Sequence, residues 1–421
     1  MDLLLTNIGT LATPIGTTAQ KGDAQGEISI ISNATIGVKD GKIVYISSCD
    51  VTNEDYPGDL VNLPIALDDT TRVIDCGGKL VTPGLVDSHT HLIFGGWRQK
   101  ELGLKLAGVP YLDILKSGGG ILNTVKHTRT ANEAELAEKG EKLLDEMLRL
   151  GVTTCEAKSG YGLSTEEELK QLRVIKELNE KQPVDLVPTF MGAHAVPNEY
   201  ANNRSEYIEL IINEMLPAVA KEKLAEFCDI FCESSVFTPE ESLRILTEAK
   251  KYGMTPKMHA DEINPIGGAE MAAQVGAISA EHLIQASDEG IRAMAEKNVT
   301  AILLPATSFY LDKPYARARD MINENVAVAV ATDFNPGSSP GLNIQLAMNI
   351  ACLKYKMTPA EVLTAVTLNG AAAINRADVC GSIEVGKQAD ILIWDACDLD
   401  YIFYRFGSNL VDTVIKNGKI V

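Results

Sequence analysis

Six histidines stand in the chain. Five of them, His89, His91, His194, His259 and His282, fall at or just after the ends of expected β-strands. In His89-Thr90-His91 the spacing is i, i+2, so in an extended segment both imidazoles project to one side, as two ligands of one ion must. A carboxylate follows a wholly apolar run, where Val326-Ala327-Val328-Ala329-Val330-Ala331 leads into Thr332-Asp333. A charge emerging from such a strand needs a cation or a hydrogen-bond donor beside it. His89, His91, His259 and Asp333 together would set three imidazoles and a carboxylate around one divalent metal ion per subunit. Zn and Fe both suit that donor set, and a position remains for water. Asp333 also fits a second reading, as the N-cap of a helix after Pro336-Gly337-Ser338.

Such a set requires strands that converge. Between Pro83 and about Arg376 short β-rich runs alternate with charged segments of helical period, the pattern of βα units. The strand candidates are Leu85 to His91, Val152 to Glu156, Leu186 to Met191, Phe227 to Glu233, Thr255 to His259, Ala277 to Glu281, Val299 to Leu304 and Val326 to Thr332. Helical stretches lie between them, at Glu133 to Leu150, Thr165 to Leu178, Glu206 to Glu222, Pro239 to Tyr252 and Ser287 to Glu296. Eight strands with intervening helices predict an α/β fold, a closed (β/α)8 TIM-like barrel whose active site sits at the strand C-termini.

The two ends of the sequence read as β-structure. Lys39-Asp40-Gly41-Lys42-Ile43-Val44 and Lys416-Asn417-Gly418-Lys419-Ile420-Val421 are near copies, and each is a hairpin signal. They predict one small β-sandwich built from both termini, residues 1–82 with 376–421, flanking a catalytic barrel at 83–375. Two unrelated hairpins are the alternative.

The chain has 421 residues, 45% of them hydrophobic and 23% charged, enough to bury a large core and stay soluble. A net charge of -19 repels phosphate backbones and anionic headgroups, so neither nucleic acid nor a membrane is an expected partner. The eight cysteines are scattered, which fits a reducing cytoplasm and not a disulfide scaffold. The opening Met1-Asp2-Leu3-Leu4-Leu5-Thr6 lacks the basic and apolar regions of a signal peptide.

Val81-Thr82-Pro83-Gly84-Leu85-Val86-Asp87-Ser88-His89-Thr90-His91 resembles the first-strand signature of the amidohydrolase superfamily. A histidine on the fifth strand, another on the sixth and an aspartate on the eighth follow in the same order. Gly381-Ser382-Ile383-Glu384-Val385-Gly386-Lys387-Gln388-Ala389-Asp390 resembles the turn by which such chains re-enter their sandwich. Five further blocks are similar to the members that open a cyclic amide: Phe94-Gly95-Gly96-Trp97-Arg98, Lys158-Ser159-Gly160-Tyr161-Gly162-Leu163, Gly192-Ala193-His194-Ala195-Val196-Pro197, His259-Ala260-Asp261-Glu262 and Thr332-Asp333-Phe334-Asn335-Pro336-Gly337-Ser338. The resemblance implies hydrolysis of a small anionic imidazolone by a metal-activated water, in a homodimer.

Ring opening needs a nucleophile, a polarised carbonyl and protonation of the leaving nitrogen. Asp333 can accept the water's proton, His282 can orient or deprotonate that water, and Glu262 is the candidate to carry a proton to the ring. Glu262 also reads as a solvated loop carboxylate. Arg98 is the natural counter-ion for a carboxylate tail, since a guanidinium binds it bidentately, although a surface arginine is the alternative. Tyr161 and His194 would bond the ring, and the resemblance implies contacts from Asn335, Gly337 and Ser338. A heterocyclic-base deaminase and a catalytically silent barrel are the competing readings.

Several features carry less. Cys228-x-x-x-Cys232 lacks a second pair and reads as buried thiols. Glu233 and Lys158 could suggest a second metal, but a mononuclear site is expected. Ser117-Gly118-Gly119-Gly120 has no following Gly-Lys-Ser/Thr and reads as a loop over the barrel mouth, with His127 outside the site.

Overall fold

A computed structural model describes residues 1–47, 70–109 and 119–421. Ser117 and Gly118 of the expected mouth loop, and Cys49, lie outside the described residues. The first strands, β1 (Leu3–Thr13), β2 (Ser29–Lys39), β3 (Lys42–Ser47), β4 (Arg72–Asp75) and β5 (Leu80–Pro83), belong to an outer sheet. Eight strands then form a parallel barrel in strict sequence order. They are β6 (Leu85–Asp87), β7 (Val152–Lys158), β8 (Asp185–Ala193), β9 (Phe227–Cys232), β10 (Thr255–Ala260), β11 (Ser279–His282), β12 (Thr300–Leu303) and β13 (Val328–Val330). The chain returns to the outer sheet with β14 (Ile391–Trp394), β15 (Val411–Lys416) and β16 (Lys419–Ile420).

The outer sheet runs β16-β15-β14-β5-β1-β2-β3, with β4 beside β1. It folds over so that the start of β3 meets the returning tail: Ile43 N donates to Lys387 O and Gly386 N to Ile43 O. Its own core comprises Leu3, Leu5, Ile8, Ile36, Val38, Ile43, Val81, Ile391, Ile393 and Ile415. Both hairpin turns place two successive residues at positive φ, Asp40 and Gly41 at 50° and 74°, Asn417 and Gly418 at 51° and 73°. Such a turn matches the twist of its strands and favours Asp-Gly and Asn-Gly. The two turns pack on each other, so closely that a Cβ on Gly41 would lie 3.2 Å from Asn417 O.

Two expected barrel strands end early, and the reason bears on the site. β6 stops at Asp87 and β13 at Val330. Beyond them the segments are tied partly through a side chain: Thr332 N and Oγ1 donate to the Asp87 carboxylate at 3.1 and 2.6 Å. Asp333 N then bonds His89 O, and His91 N bonds Phe334 O. These bonds join the first strand to the eighth and bring His89, His91 and Asp333 together.

Helices pack outside. Glu133–Arg149 buries Leu136, Ala137, Leu143, Leu144 and Met147 and starts from a capping box between Asn132 and Glu135. The expected helix Glu206 to Glu222 is instead Arg204–Leu210, a π-helical turn over Ile211–Met215, and Leu216–Glu222. Pro217 has no N–H to offer the carbonyl four residues back, which accounts for the interrupted ladder. No helix among the described residues is long and apolar enough to cross a membrane.

Candidate active site

The alternation of side chains along strands and the join between β6 and β13 deliver four donors to the barrel mouth. His89 Nε2 lies 3.4 Å and His91 Nε2 3.7 Å from Asp333 Oδ1. His259, near the end of β10, holds Nε2 3.4 Å from His91 Nε2. All four residues are buried. Ligand atoms of His89, His91 and His259 lie within 4.8 Å of one another, as do those of His89, His282 and Asp333.

Neither ring nitrogen of His89 has a hydrogen-bond partner. Burial holds His89 and His91 well below the usual imidazole range, with the Lys158 charge adding at His89 and the other histidines adding at both, so both rings are neutral. Buried imidazoles with lone pairs aimed at one point, beside a carboxylate, fit a divalent cation. Asp333 sits at φ 52°, and its Oδ2 accepts from Thr307 Oγ1 at 2.6 Å, which directs Oδ1 toward the histidines. It heads no helix, since the next one spans Ile344–Ile350 and is capped by Asn343.

His282 ends β11 at φ 68°, with Nε2 3.7 Å from Glu262 Oε2. Burial lowers His282 to about 4 and raises Glu262 to about 7, Glu233 adding to the latter and His259 opposing it. Glu262 is therefore no solvated loop carboxylate: it faces His282 with its side chain 17% exposed. Its loop is stitched by two neighbours. Asp261 accepts from the N–H groups of Ile266, Gly267, Gly268 and Ala269. Glu233 accepts from Ile263 N, Asn264 N and Asn264 Nδ2, so its carboxylate is engaged in holding that loop.

His194 follows β8 and stacks on His91 with centroids 4.7 Å apart, its Nδ1 3.1 Å from Gly160 O. Tyr161 is buried beside both rings. Arg98 lies on the loop after β6, a loop tethered by Lys139 Nζ to Phe94 O and Gly95 O at 3.2 and 2.8 Å. Its guanidinium is fixed bidentately by Glu101, at 3.0 and 2.8 Å, and packs onto Gly337 beyond β13. The Asn335 side chain organises that second loop, accepting from Gly337 N and Ser338 N and donating to Asp333 O. Ser338 Oγ is tied to the same amide.

Sequence reasoning passed over Glu101, Thr307 and Asp229. Asp229 interrupts the apolar run of β9 and is fully buried, with Oδ2 3.0 Å from His259 Nδ1. Its signal, a charge within an apolar strand, is the one that marks Asp333. Lys158 ends β7 with its ammonium ion-paired to Glu156 and Asp229 at 2.8 and 2.7 Å. Cys228 and Cys232 are buried free thiols, and His127 lies exposed on the helix Ile121–Thr130.

The model of the amidohydrolase family matches residues 80–421. The chain is 52% identical to the imidazolonepropionase of Bacillus cytotoxicus, the match spanning all of this chain and 96% of that protein. It is 51% identical to the imidazolonepropionase of Alkaliphilus metalliredigens, over all of this chain and 98% of the relative. Among solved structures, Escherichia coli guanine deaminase superposes with a TM-score of 0.73 at 15% identity, over 99% of this chain and 98% of that one. A zinc-bound adenosine deaminase from Xanthomonas campestris superposes at 0.70 with 20% identity, over 100% and 92%. The likeness to these two structures is one of fold.

Proposed function

This chain belongs to the amidohydrolase family, and on that premise we propose that it hydrolyses the cyclic amide of 4-imidazolone-5-propanoate to N-formimidoyl-L-glutamate, a step of histidine degradation. The observation that carries the reading is the divalent-metal donor set at the barrel mouth, and the Arg98 guanidinium, fixed by Glu101 on a neighbouring loop, supports it as the group that would meet an anionic tail. Full-length identity of about half to imidazolonepropionases supports the same substrate.

His89, His91, His259 and Asp333 would hold one ion per subunit, with Zn or Fe as our reading of the donor set. When bound, such an ion lowers the pKa of water toward roughly 7 and polarises a carbonyl. The protein's own groups do the rest. Asp333 accepts the proton of the attacking water, and neutral His282 orients that water. Glu262, poised near neutrality and entering as the carboxylate, takes that proton on from Asp333 and delivers it to the ring nitrogen as the C–N bond breaks. Arg98 grips the propionate while Tyr161 and His194 bond the ring. The loop of Asn335, Gly337 and Ser338 closes the far wall.

A homodimer in the cytoplasm, with no nucleic-acid or membrane partner, belongs to the same proposal. A deaminase reading keeps only the fold-level likeness to base deaminases. The test is ring opening followed by loss of imidazolone absorbance, with the purified protein run beside Asp333→Asn. Ring opening by the parent and its loss in the variant support the mechanism, whereas equal rates in the two would remove it.

A further inference from the structure

We infer that Asp229 is a positioning residue for the metal centre, fixing both the tautomer and the orientation of His259. The inference rests on the metal-site reading above. It starts from how completely the Asp229 carboxylate is held. Oδ1 accepts from Ile230 N at 2.7 Å, while Oδ2 lies 2.7 Å from Lys158 Nζ and 3.0 Å from His259 Nδ1. Lys158 is anchored on its other side by Glu156 at 2.8 Å, and Glu156 is held in turn by Lys257 at 3.0 Å and Thr189 Oγ1 at 2.6 Å. Asp229, Lys158, Glu156, Lys257 and Thr189 are fully buried on four adjacent strands, β7 to β10.

A carboxylate acceptor at Nδ1 selects the tautomer with hydrogen on Nδ1 and leaves the Nε2 lone pair available. That Nε2 is the atom facing His91 Nε2 across the centre. The 3.0 Å contact also restrains the ring plane, because a backbone N–H on Oδ1 and an ammonium on Oδ2 hold the carboxylate. The Lys158 ammonium, 2.7 Å from the same oxygen, is a further partner of that carboxylate, but the contact that reaches the metal centre is the one to His259 Nδ1. Partners of this kind typically tune metal affinity by about 10- to 100-fold.

The metal-free protein is titrated with Zn2+ against a chromophoric chelator, comparing the parent, Asp229→Asn and Glu156→Gln. Glu156→Gln disturbs the same buried ion pairs and Lys158 without touching His259. Asp229→Asn is expected to bind zinc about 10- to 100-fold more weakly, and Glu156→Gln within about threefold of the parent. Equal losses in the two variants, or no loss in Asp229→Asn, overturn the inference. A parent that binds no zinc overturns the metal-site reading, and the inference with it. Should Asp229→Asn fail to fold, nitrogen NMR of histidine-labelled parent protein decides: hydrogen on Nδ1 of His259 supports the inference, and hydrogen on Nε2 refutes it.

Discussion

Gly337→Ala separates substrate binding from metal chemistry. A Cβ at Gly337 would lie 2.0 Å from Arg98 Nη1 and 2.6 Å from Cζ, whereas ordinary contact begins at 3.4 Å. The guanidinium must withdraw by about 1.4 Å, the difference between those limits. Gly337 is not in the left-handed region, so its backbone accepts alanine and the side chain gives way. Withdrawal breaks the register with Glu101, at 3.0 and 2.8 Å, and, on the proposed reading, moves the cation away from the substrate's carboxylate tail. Losing one charge-assisted hydrogen bond costs about 1.5–3 kcal/mol, a rise in KM of roughly 10- to 150-fold at 1.4 kcal/mol per decade. Steady-state kinetics on the imidazolone read KM and kcat, with metal content measured on the same sample. Gly341→Ala, where a Cβ meets nothing within 4 Å, is the control. A KM within about twofold of the parent, at unchanged metal content, would refute the placement of Arg98 against the tail.

Three other outcomes follow from the geometry. Glu262 must enter the cycle ionised to collect a proton, and burial raises it to about 7, so kcat/KM should climb with pH through that value. Glu262→Gln should abolish that limb and cost about 10²- to 10⁴-fold in rate; a pH profile that keeps its shape in the variant would assign the limb elsewhere. Chelation of the metal should lower the melting temperature, since a ligand at 100 times its Kd adds about 2.7 kcal/mol of stability; calorimetric scans that coincide with and without metal would count against the site. At Gly95 an added Cβ would stand 2.4 Å from the His127 backbone carbonyl, so Gly95→Ala should destabilise by about 1–3 kcal/mol, read by urea denaturation.

The barrel was legible because its strands are short apolar runs broken by amphipathic helices, and each of the eight segments forms a strand. Strand ends also announced the mouth, since a polar residue closing an apolar run has few other places to go. The interrupted helix over Ile211–Met215 was not legible, because its apolar period runs through Pro217 undisturbed. The partners that hold the site were hidden for another reason. Asp229 meets His259 across the β9–β10 register, and Thr307 reaches Asp333 from the helix Pro305–Tyr310. Register between strands is a property of the closed barrel and leaves no mark in local spacing. Glu101, by contrast, lies three residues from Arg98 on a short helix, a spacing that could have been read.

The pairing of β5 with β14 has a consequence for how the chain comes to be folded. Pro83 and Ile391 face each other across 308 intervening steps of sequence. At a synthesis rate of 5–20 residues per second, β5 waits roughly 15 to 60 s on the ribosome before its neighbour is made. During that interval β1, β2 and β3 can associate, yet β5 presents an open hydrogen-bonding edge, an invitation to foreign strands. The segments from β14 onward, translated long after β5, therefore act as the molecule's own edge guard, and removing them should appear first as aggregation during expression.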